Sequence, residues 1–524
     1  MKRQIILCLI FIATTMAKIA NAQHPNVMIG NIGNPNEPSI VINPKNTNQI
    51  LAAANINKYY FSNNSGFTWQ TATLTSTYGV WGDPVVVCDT NQQFYFFHLS
   101  NPPQGSWIDR IVCQRWNTFA NTNTWTNGSF MGKNGTKAQD KQWVAIDRQN
   151  NTLYCTWTQF DQYGSTASND SSNILLSKST DSGNTWSQAK RINQLAGNCI
   201  DSDNTTEGAV PTIGTNGQIY VAWAINNTIK FDKSTDGGQT WLANDLTIAN
   251  MPGGWDYPIA GLQRANGLPV TVCDLSNNPA TRGTIYVNWT DQRNGNTDVF
   301  LIKSTNGGQN WSPQPIKINN DNTNKDQFLS WLTIDQTNGN LYCVFYDRRN
   351  YNDNRTDVYL ATSTDGGNTF TNTKISETPF LPSSSVFFGD YTNISAHNNV
   401  VRPIWTRMDN GVNSVWTALI NTNILQTQKE QLDLSPLELD LSPNPFKDNA
   451  FITFKIRKME RVNLIIYDIL GNKIQTIIEN QNLQAGKYIK EVGFMKPNLP
   501  SGFYYCKLTI GDKSITKKII YNNQ

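Results

Sequence analysis

The chain has 524 residues, of which 38% are hydrophobic and only 15% are charged, and its formal net charge is +3 at pH 7. This length is enough for one large domain and a smaller one. Residues 438–524 contain 13 Lys and Arg against 8 Asp and Glu, so the middle of the chain is acidic, which argues against a nucleic-acid partner.

The first 22 residues have the pattern of a secretory signal peptide. Two basic residues precede an apolar run from Ile5 to Met16, and Ala20 to Ala22 form a small-residue cleavage motif. No later stretch has the roughly 18 consecutive apolar residues that a transmembrane helix requires. We therefore expect a leader over residues 1–22, an exported mature chain from Gln23, and no transmembrane segment.

Residues 23–420 are dominated by short runs rich in Val, Ile, Tyr and Trp, bounded by Asn, Asp and Gly. This composition predicts strands, and their near-continuous apolar character is typical of strands buried on both faces. Runs suited to the first strand of a four-stranded unit recur seven times: PSIVIN, DPVVVCD, QWVAID, AVPTIG, LPVTVCD, LSWLTID and DYTNISA.

An octet of the form S-x-D-x-G-x-x-W recurs within the same region. Its clear copies begin at Ser62, Ser179, Ser234, Ser304 and Ser363, and the last four are 55 to 70 residues apart. The Asp or Asn side chain can accept turn N–H groups, Gly supplies a positive φ, and the aromatic side chain can pack between sheets. The octet therefore predicts a structural turn, and its repetition is typical of a β-propeller.

These octets resemble the Asp-box, or BNR, repeats of the sialidase-like superfamily of secreted β-propellers. The resemblance implies a propeller over residues 23–420, but Asp-box propellers have varied activities or none, so it does not fix the function. Seven first strands favour seven blades, and six blades, as in sialidases proper, are the alternative.

Carboxylates are enriched near the starts of the predicted first strands, on the face opposite the octet turns. Either they pair with neighbouring arginines, or they line a mouth that binds ligand and supplies acid–base groups. The candidate substrate-binding residues on this face and its loops are Asp83, Asp140, Arg264, Arg293, Arg348, Arg349, Arg402, Trp255 and Tyr351.

The sialidase resemblance implies three arginines around a substrate carboxylate, a Tyr nucleophile with a Glu partner, and an Asp acid–base. Glu207, Asp390 and Tyr391 are the catalytic candidates here, and Arg264, Arg349 and Arg402 are the candidate clamp. The family's R-I-P arginine at the start of the first blade is missing, because the first arginine after the leader is Arg110. The arginine triad is therefore not evident, and a glycoside hydrolase, a polysaccharide lyase and a non-catalytic adhesion or protein-binding propeller stay open.

The loop DSDNTTEG is a candidate calcium site. Asp201 and Asp203 alternate like oxygen ligands of a calcium loop, although the Gly and Glu of an EF-hand are not in register. The alternative is a solvated polar loop. Calcium is the only cofactor that the sequence suggests.

Seven cysteines follow the leader. Cys88 and Cys273 occupy one repeated strand position, and Cys155 and Cys343 occupy another. A thiol at the same place in several units predicts buried packing residues rather than disulfides.

Residues 421–437 lack the strand-and-turn rhythm and are predicted to be a linker. From residue 438 to 524, alternating runs separated by Gly and Pro predict a small antiparallel β-sandwich. The order SPNPF, IYDILGNKI, LPSGFYY and a basic KK pair closely resembles the C-terminal sorting domain of type IX secretion cargo in the Bacteroidetes. This resemblance implies contact with the type IX machinery, passage through the outer membrane, and release or attachment at the cell surface.

The sequence thus predicts an all-β protein, a six- or seven-bladed propeller with seven favoured, followed by a small antiparallel sandwich. We expect its partner to be an extracellular glycan or another polymer.

Overall fold

The computed structural model describes residues 24–116, 124–422, 439–456, 459–484, 486–494, 499–511 and 513–522. The chain divides into two compact units, Met1–Thr422 and Asn423–Gln524. The predicted leader and nearly all of the predicted linker lie outside the described residues. Within the described part, no helix has both the length and the apolar character that a membrane crossing requires.

Over residues 24–116 and 124–422, the strands form seven antiparallel sheets of four or more strands. Strand β1 (Asn26–Gly30) comes before the first of them. The first sheet contains β2 (Ser39–Ile42), β3 (Ile50–Ala54), β4 (Lys58–Ser62) and β5 (Gln70–Thr73). The second contains β6 (Gly82–Cys88), β7 (Phe94–Leu99), β8 (Ile111–Arg115) and β9 (Ser129–Met131). The third contains β10 (Ala138–Asp147), β11 (Thr152–Phe160), β12 (Ser172–Ser179) and β13 (Lys190–Arg191).

The next sheets repeat this order. The fourth contains β14 (Glu207–Ile213), β15 (Ile219–Ile225), β16 (Thr228–Ser234) and β17 (Leu246–Asn250), and a two-stranded hairpin of β18 (Asp256–Tyr257) and β19 (Ala265–Asn266) follows. The fifth contains β20 (Val270–Cys273), β21 (Ile285–Asp291), β22 (Asp298–Ser304) and β23 (Ile316–Lys317). The sixth contains β24 (Gln327–Asp335), β25 (Asn340–Asp347), β26 (Asp357–Ser363) and β27 (Thr371–Lys374).

The seventh sheet joins the two ends of the first unit. It contains β28 (Asn393–His397), β29 (Val400–Asp409), β30 (Val412–Ala418) and β31 (Ile420–Asn421), and β1 pairs antiparallel with β30. The first strands of successive sheets contact one another, and β28 of the seventh sheet contacts β2 of the first. Residues from all seven first strands line one central cavity.

The core lies between neighbouring sheets, as the apolar strand runs predict. The tryptophans of four second strands, Trp157, Trp223, Trp289 and Trp405, are at most 1% exposed. The seven cysteines after the leader are buried and free, which agrees with their predicted packing role.

The octet from Ser179 shows how each rim turn is held. The Ser179 Oγ accepts the Gly183 N–H (2.9 Å) and donates to Asp181 (2.8 Å), and Asp181 also accepts the Thr185 N–H and hydroxyl. The Trp186 ring packs on Phe97 of the preceding sheet, with 5.8 Å between ring centroids. The same serine contacts recur in the octets that begin at Ser62, Ser234, Ser304 and Ser363.

The second unit contains two antiparallel sheets with a core of their own. One contains β32 (Leu439–Ser442), β33 (Asn449–Ile456) and β36 (Gly486–Gly493), and the other contains β34 (Glu460–Tyr467), β35 (Lys473–Leu483), β37 (Gly502–Ile510) and β38 (Lys513–Tyr521). Alternate residues face inward, among them Ile452 and Phe454 from one sheet and Leu464 and Leu508 from the other.

Candidate functional site

Four first strands begin with the same backbone irregularity. In β6, β10, β14 and β24 the pairing register shifts by a bulge near the strand start. Each bulge holds one residue in the left-handed region: Asp83 (φ 49°), Lys141 (φ 52°), Gly208 (φ 76°) and Leu329 (φ 49°). A bulge re-aims the adjacent side chains, and left-handed non-glycine residues persist where surrounding structure enforces them, often at functional sites.

The strand starts bring charged side chains together at one end of the central cavity. Electrostatic interactions connect them into what we call the acidic cluster: Glu37, Asp83, Asp140, Asp201, Glu207 and Asp390, with Lys141 and Arg264. Carboxylates outnumber cations six to two in this set.

Asp390 is the anchor of the two cations. It accepts hydrogen bonds from the Lys141 Nζ (2.9 Å) and from the Arg264 Nε (2.8 Å), and a second Arg264 nitrogen contacts its other oxygen. Burial opposes ionisation, but the charges of Lys141 and Arg264 outweigh it and lower the pKa of Asp390 to about 2. Asp390 is therefore held as a carboxylate, although its side chain is only 3% exposed.

Glu37 connects the first sheet to the seventh. Glu37 accepts hydrogen bonds from the Asp390 N–H (3.1 Å) and from the Asn55 side-chain amide, and the Asn55 Oδ1 accepts the Asp83 N–H (2.9 Å). Burial, with the charges of Asp83 and Asp390, raises the pKa of Glu37 well above its usual range. A protonated Glu37 next to an ionised Asp390 lowers the repulsion between them.

Two further carboxyls resist ionisation. Burial and the charge of Asp201 raise the pKa of Glu207 well above its usual range, and neither carboxyl oxygen has a hydrogen-bond partner. Burial also raises the pKa of Asp140 to about 7, and the charge of Lys141, which lowers it, offsets the effect of burial only in part. The cluster therefore contains one carboxyl whose pKa is lowered and others whose pKa is raised.

Tyr391 lies beside this cluster and packs against two tryptophan rings. Its ring centroid is 5.1 Å from that of Trp143, and the Trp143 and Trp331 centroids are 4.2 Å apart. Its hydroxyl is buried without a partner, and burial and the charge of Asp83 raise its pKa well above the usual range. A pocket of about 420 Å³ is lined by Tyr391, Lys141 and Asp390 together with residues of β14, β20 and β24.

A second pocket, of about 310 Å³, shares Lys141 and Asp390 with the first and adds Trp255, Asp201 and Arg264. The Arg264 side chain is 45% exposed and lies 3.8 Å from Asp201. Trp255 is buried, and its indole N–H has no partner. A ligand in this pocket would meet polar groups of both signs.

The calcium candidate does not acquire a ligand set. One Asp201 oxygen accepts the Tyr163 hydroxyl (2.5 Å), and one Asp203 oxygen accepts the Asp256 N–H (2.9 Å). Within the described ranges, no three His, Cys, Asp or Glu side chains are placed to hold a metal ion. Because calcium also binds backbone and side-chain carbonyl oxygens, the calcium site at this loop stays a prediction.

Residues 440–522 match the family model of the secretion system C-terminal sorting domain. The second unit is a sorting domain. This match confirms the resemblance carried by SPNPF, IYDILGNKI and LPSGFYY. The protein is therefore exported, and it is either secreted or held at the outer cell surface.

Several solved structures are similar to the chain. One is the sialidase NanB of Streptococcus pneumoniae, at 8% identity over 75% of this chain and 94% of that one, with a TM-score of 0.42. An ulvan lyase of polysaccharide lyase family PL25 is 12% identical over 76% of this chain and 96% of that one, with a TM-score of 0.46. The Hadza microbial sialidase Hz136 is 12% identical over 72% of this chain and 74% of that one, with a TM-score of 0.40. A comparison with curated proteins found no match.

The structure does not bring the loop arginines into the acidic cluster. Arg293 forms an ion pair with buried Asp291 in its own loop (2.5 Å) and stacks on a phenylalanine of β22. Arg349 forms the equivalent pair with Asp347 (2.6 Å). Each guanidinium group neutralises the aspartate that ends the second strand of its sheet, so its contacts are structural ones.

Three other candidates also have partners away from the cluster. The Arg348 Nε donates to Thr356 (3.1 Å), and Tyr351 donates its hydroxyl to an aspartate of β26. The Arg402 Nε donates to the Ser65 carbonyl of an octet turn (2.8 Å), at the other rim. The candidate clamp is therefore not assembled, because Arg264, Arg349 and Arg402 bind three different partners.

Sequence reasoning missed the residues that organise the cluster. Lys141 directly follows Asp140 and lies near the start of an apolar strand. A lysine is rarely buried unless it is paired, so this position could have indicated a buried lysine with acidic partners. Asn55 and Asn266 are further examples: the first bridges Glu37 and Asp83, and the second donates to the Asp390 carbonyl (2.8 Å). Neither amide differs in sequence from the many asparagines of the turns.

Proposed function

We propose that residues 23–420 form a closed, seven-bladed propeller of the sialidase-like kind that acts on or binds extracellular glycans. The ring of contacts among the first strands and the pairing of β1 with β30 support seven blades and closure. We further propose a leader over residues 1–22, a linker over residues 421–437 and a sorting region over residues 438–524. The sorting domain would hand the propeller to the type IX machinery.

One observation carries the functional proposal. Carboxyl groups whose pKa values are shifted in opposite directions lie beside a pocket at one end of the central cavity. Pairs of carboxyls whose environments separate their pKa values mark acid–base sites, and glycoside hydrolysis uses such a pair. The same pocket offers aromatic and amide surfaces, which bind sugar rings and hydroxyls.

The hydrolytic step assigns a role to each group. Asp140, with its pKa of about 7, would donate its proton to the glycosidic oxygen as the C–O bond breaks. A water molecule would add to the anomeric carbon and lose its proton to a cluster carboxylate other than Asp390, so that one water is consumed per bond. Glu207, with two unpartnered oxygens, is the alternative donor.

Asp390 and Tyr391 fit supporting roles in this scheme. The Asp390 oxygens are already bound by Lys141 and Arg264, so Asp390 would hold these cations in place for substrate hydroxyls. The raised pKa of Tyr391 keeps its phenol protonated, which suits a hydrogen-bond donor better than a nucleophile.

The cluster disfavours a sialic acid substrate. Arg264 is the one arginine of the candidate clamp that reaches it, and Asp390 already neutralises Arg264. An anionic sugar would meet an excess of carboxylates without a bidentate clamp. We therefore expect no hydrolysis of a fluorogenic sialoside.

The test is product analysis with purified protein and a panel of neutral and anionic polysaccharides. Wild type should release new reducing ends from at least one neutral polymer, and Asp140→Asn should abolish release while keeping affinity within a few fold. Asp409→Asn, at the end of β29 and outside the cluster, is the matched control and should keep full activity. A wild type that neither binds nor cleaves any glycan contradicts the proposal.

Burial favours a second candidate function, binding without turnover. Glu207, Asp390 and Tyr391 are 0%, 3% and 8% exposed, so the groups that would react are not open to bulk solvent. A glycan array followed by product analysis separates the two functions. Binding without new reducing ends or unsaturated products would select the non-catalytic propeller.

A further inference from the structure

Two exposed tryptophans lie next to each other at the second sheet. Trp81 precedes β6 and Trp107 lies in the loop between β7 and β8, and they are 42% and 41% exposed. Their ring centroids are 5.8 Å apart, with the planes at 89°. Tyr163 continues the row, because its ring is 5.5 Å from Trp107. We call these three residues the aromatic row.

The backbone holds the exposed rings firmly. The Trp81 N–H donates to the Leu99 carbonyl (2.9 Å), and the N–H of Ile108, next to Trp107, donates to the Ser100 carbonyl (3.0 Å). Ile108 is 1% exposed and anchors this loop in the core. Exposed aromatic surface on a fixed backbone costs solvation energy without offsetting burial, which is typical of a binding surface.

A chain of contacts connects the aromatic row to the acidic cluster. The Tyr163 hydroxyl donates to Asp201 (2.5 Å), Asp201 lies 3.8 Å from Arg264, and Arg264 binds Asp390. The same Asp201 and Arg264 line the second pocket. The row therefore continues the candidate site outward instead of forming a separate patch.

We propose that the aromatic row is a stacking subsite for uncharged sugar rings of a polymeric glycan whose chain continues into the acidic cluster. The proposal rests on the proposed function and adds to it the substrate class, a neutral polymer rather than a terminal sugar. The C–H faces of a pyranose pack on aromatic rings, and the row contributes no charged side chain of its own. The row offers an anionic polymer no cationic side chain, which favours a neutral one.

The experiment compares long and short glycans on wild type and the double variant W81A/W107A. Hydroxyethyl cellulose, soluble xylan and laminarin serve as neutral polymers, their disaccharides as short ligands, and alginate as an anionic polymer. Affinity electrophoresis and intrinsic fluorescence measure binding. We expect a neutral polymer to bind wild type, with at least a tenfold weaker affinity in the variant and an unchanged affinity for its disaccharide.

Phe67→Ala is the matched control, because Phe67 is 61% exposed on an octet turn of the first sheet. It should leave polymer affinity unchanged, and an equal loss in this control would overturn the inference. If the double variant does not fold, Trp107→Gln replaces it, and quenching of wild-type fluorescence by the polymer gives an independent readout.

Three further outcomes count against the inference, and they differ in what they mean for the proposed function. Wild-type affinity in the double variant, or binding of alginate alone, overturns the neutral stacking subsite but leaves a glycan-directed propeller intact. The absence of binding to every glycan overturns both.

Discussion

The two rims of the first unit use aspartate in opposite ways. In the octet turns, Asp181 is partly exposed, and hydrogen bonds from the Thr185 hydroxyl and N–H and from Ser179 lower its pKa to about 2. In the acidic cluster, Glu207 is fully buried, has no hydrogen-bond donor on either oxygen, and has a raised pKa. The carboxylate of Asp181 thus accepts several hydrogen bonds, whereas the carboxyl of Glu207 accepts none.

The difference separates structure from chemistry. A carboxylate whose oxygens are filled by local donors stabilises a turn and has nothing left for a ligand. A buried carboxyl without donors raises the free energy of the folded state, and folds keep such groups mainly where they are used. The two rims should therefore respond differently to substitution and to pH.

The largest effect is expected from Asp390→Ala. This change removes the carboxylate that holds Lys141 and Arg264, and it leaves a buried ammonium group without its partner. Breaking a buried pair in this way costs about 3–5 kcal/mol of unfolding free energy. Chemical denaturation followed by fluorescence measures it.

Asp409→Ala provides the control for that experiment. Asp409 pairs with Arg407 at 2.6 Å, but its side chain is 50% exposed, so we expect a loss of about 1 kcal/mol or less. Equal losses in the two variants would mean that water screens the Asp390 network as well.

The next effect is the pH dependence of stability. Asp140 has a raised pKa of about 7, so the folded state binds more protons than the unfolded state between pH 4 and 7. Stability contributed by this group is present below pH 4 and falls as the pH rises to 7. Asp390 and Asp181, with pKa values of about 2, act in the opposite direction and lose stability as the pH falls from 4 to 2.

Denaturation midpoints from pH 4 to 8 test this opposition. Wild type should lose stability across the range, and Asp140→Asn, which cannot ionise, should flatten the curve. If Asp140→Asn shows the same slope of stability against pH as wild type, Asp140 does not contribute to the pH dependence. Ser179→Ala at the other rim should keep the wild-type slope, since its octet titrates at lower pH.

The contrast between the rims also explains what the sequence could predict. The octet turn is decided within eight residues, from Ser179 to Trp186, so local pattern is enough. The gathering of Asp83, Asp140, Glu207 and Asp390 follows from their shared place at strand starts, which repetition makes visible.

Residues fixed by distant partners could not be predicted in the same way. Arg402 binds Ser65, which is 337 positions away, and β1 pairs with β30 at the other end of the first unit. The left-handed Lys141 and Leu329 have no glycine signal, because the packed bulge and not the local propensity imposes the conformation. The spacing of Asp201 and Asp203 suggested calcium but could not show that one Asp201 oxygen accepts the Tyr163 hydroxyl and one Asp203 oxygen accepts the Asp256 N–H.

A smaller effect is expected when an octet serine is removed. Ser179→Ala leaves the buried Gly183 N–H without its acceptor, which costs about 1–2 kcal/mol. Ser234→Ala should give a similar loss, because its Oγ accepts the Gly238 N–H at the same 2.9 Å. The two losses should add, since the turns share no partner. A combined loss well below the sum of the single losses would argue against independent turns.

The smallest effect concerns the lysines that link neighbouring octets. The Lys178 Nζ donates to the Gly237 carbonyl of the next sheet at 2.7 Å, and Lys233 and Lys303 repeat the contact with the Gly307 and Gly366 carbonyls. Each Lys→Met change should cost about 0.5 kcal/mol, because a partly exposed ammonium keeps most of its hydration. The triple variant should lose about three times as much stability, measured by denaturation.

Lys58→Met, whose ammonium contacts Thr73 within its own sheet, is the control. If the triple variant matches this control, the lysine contacts do not stabilise the packing of one sheet on the next, and the octet rim depends on its serine and aspartate contacts alone.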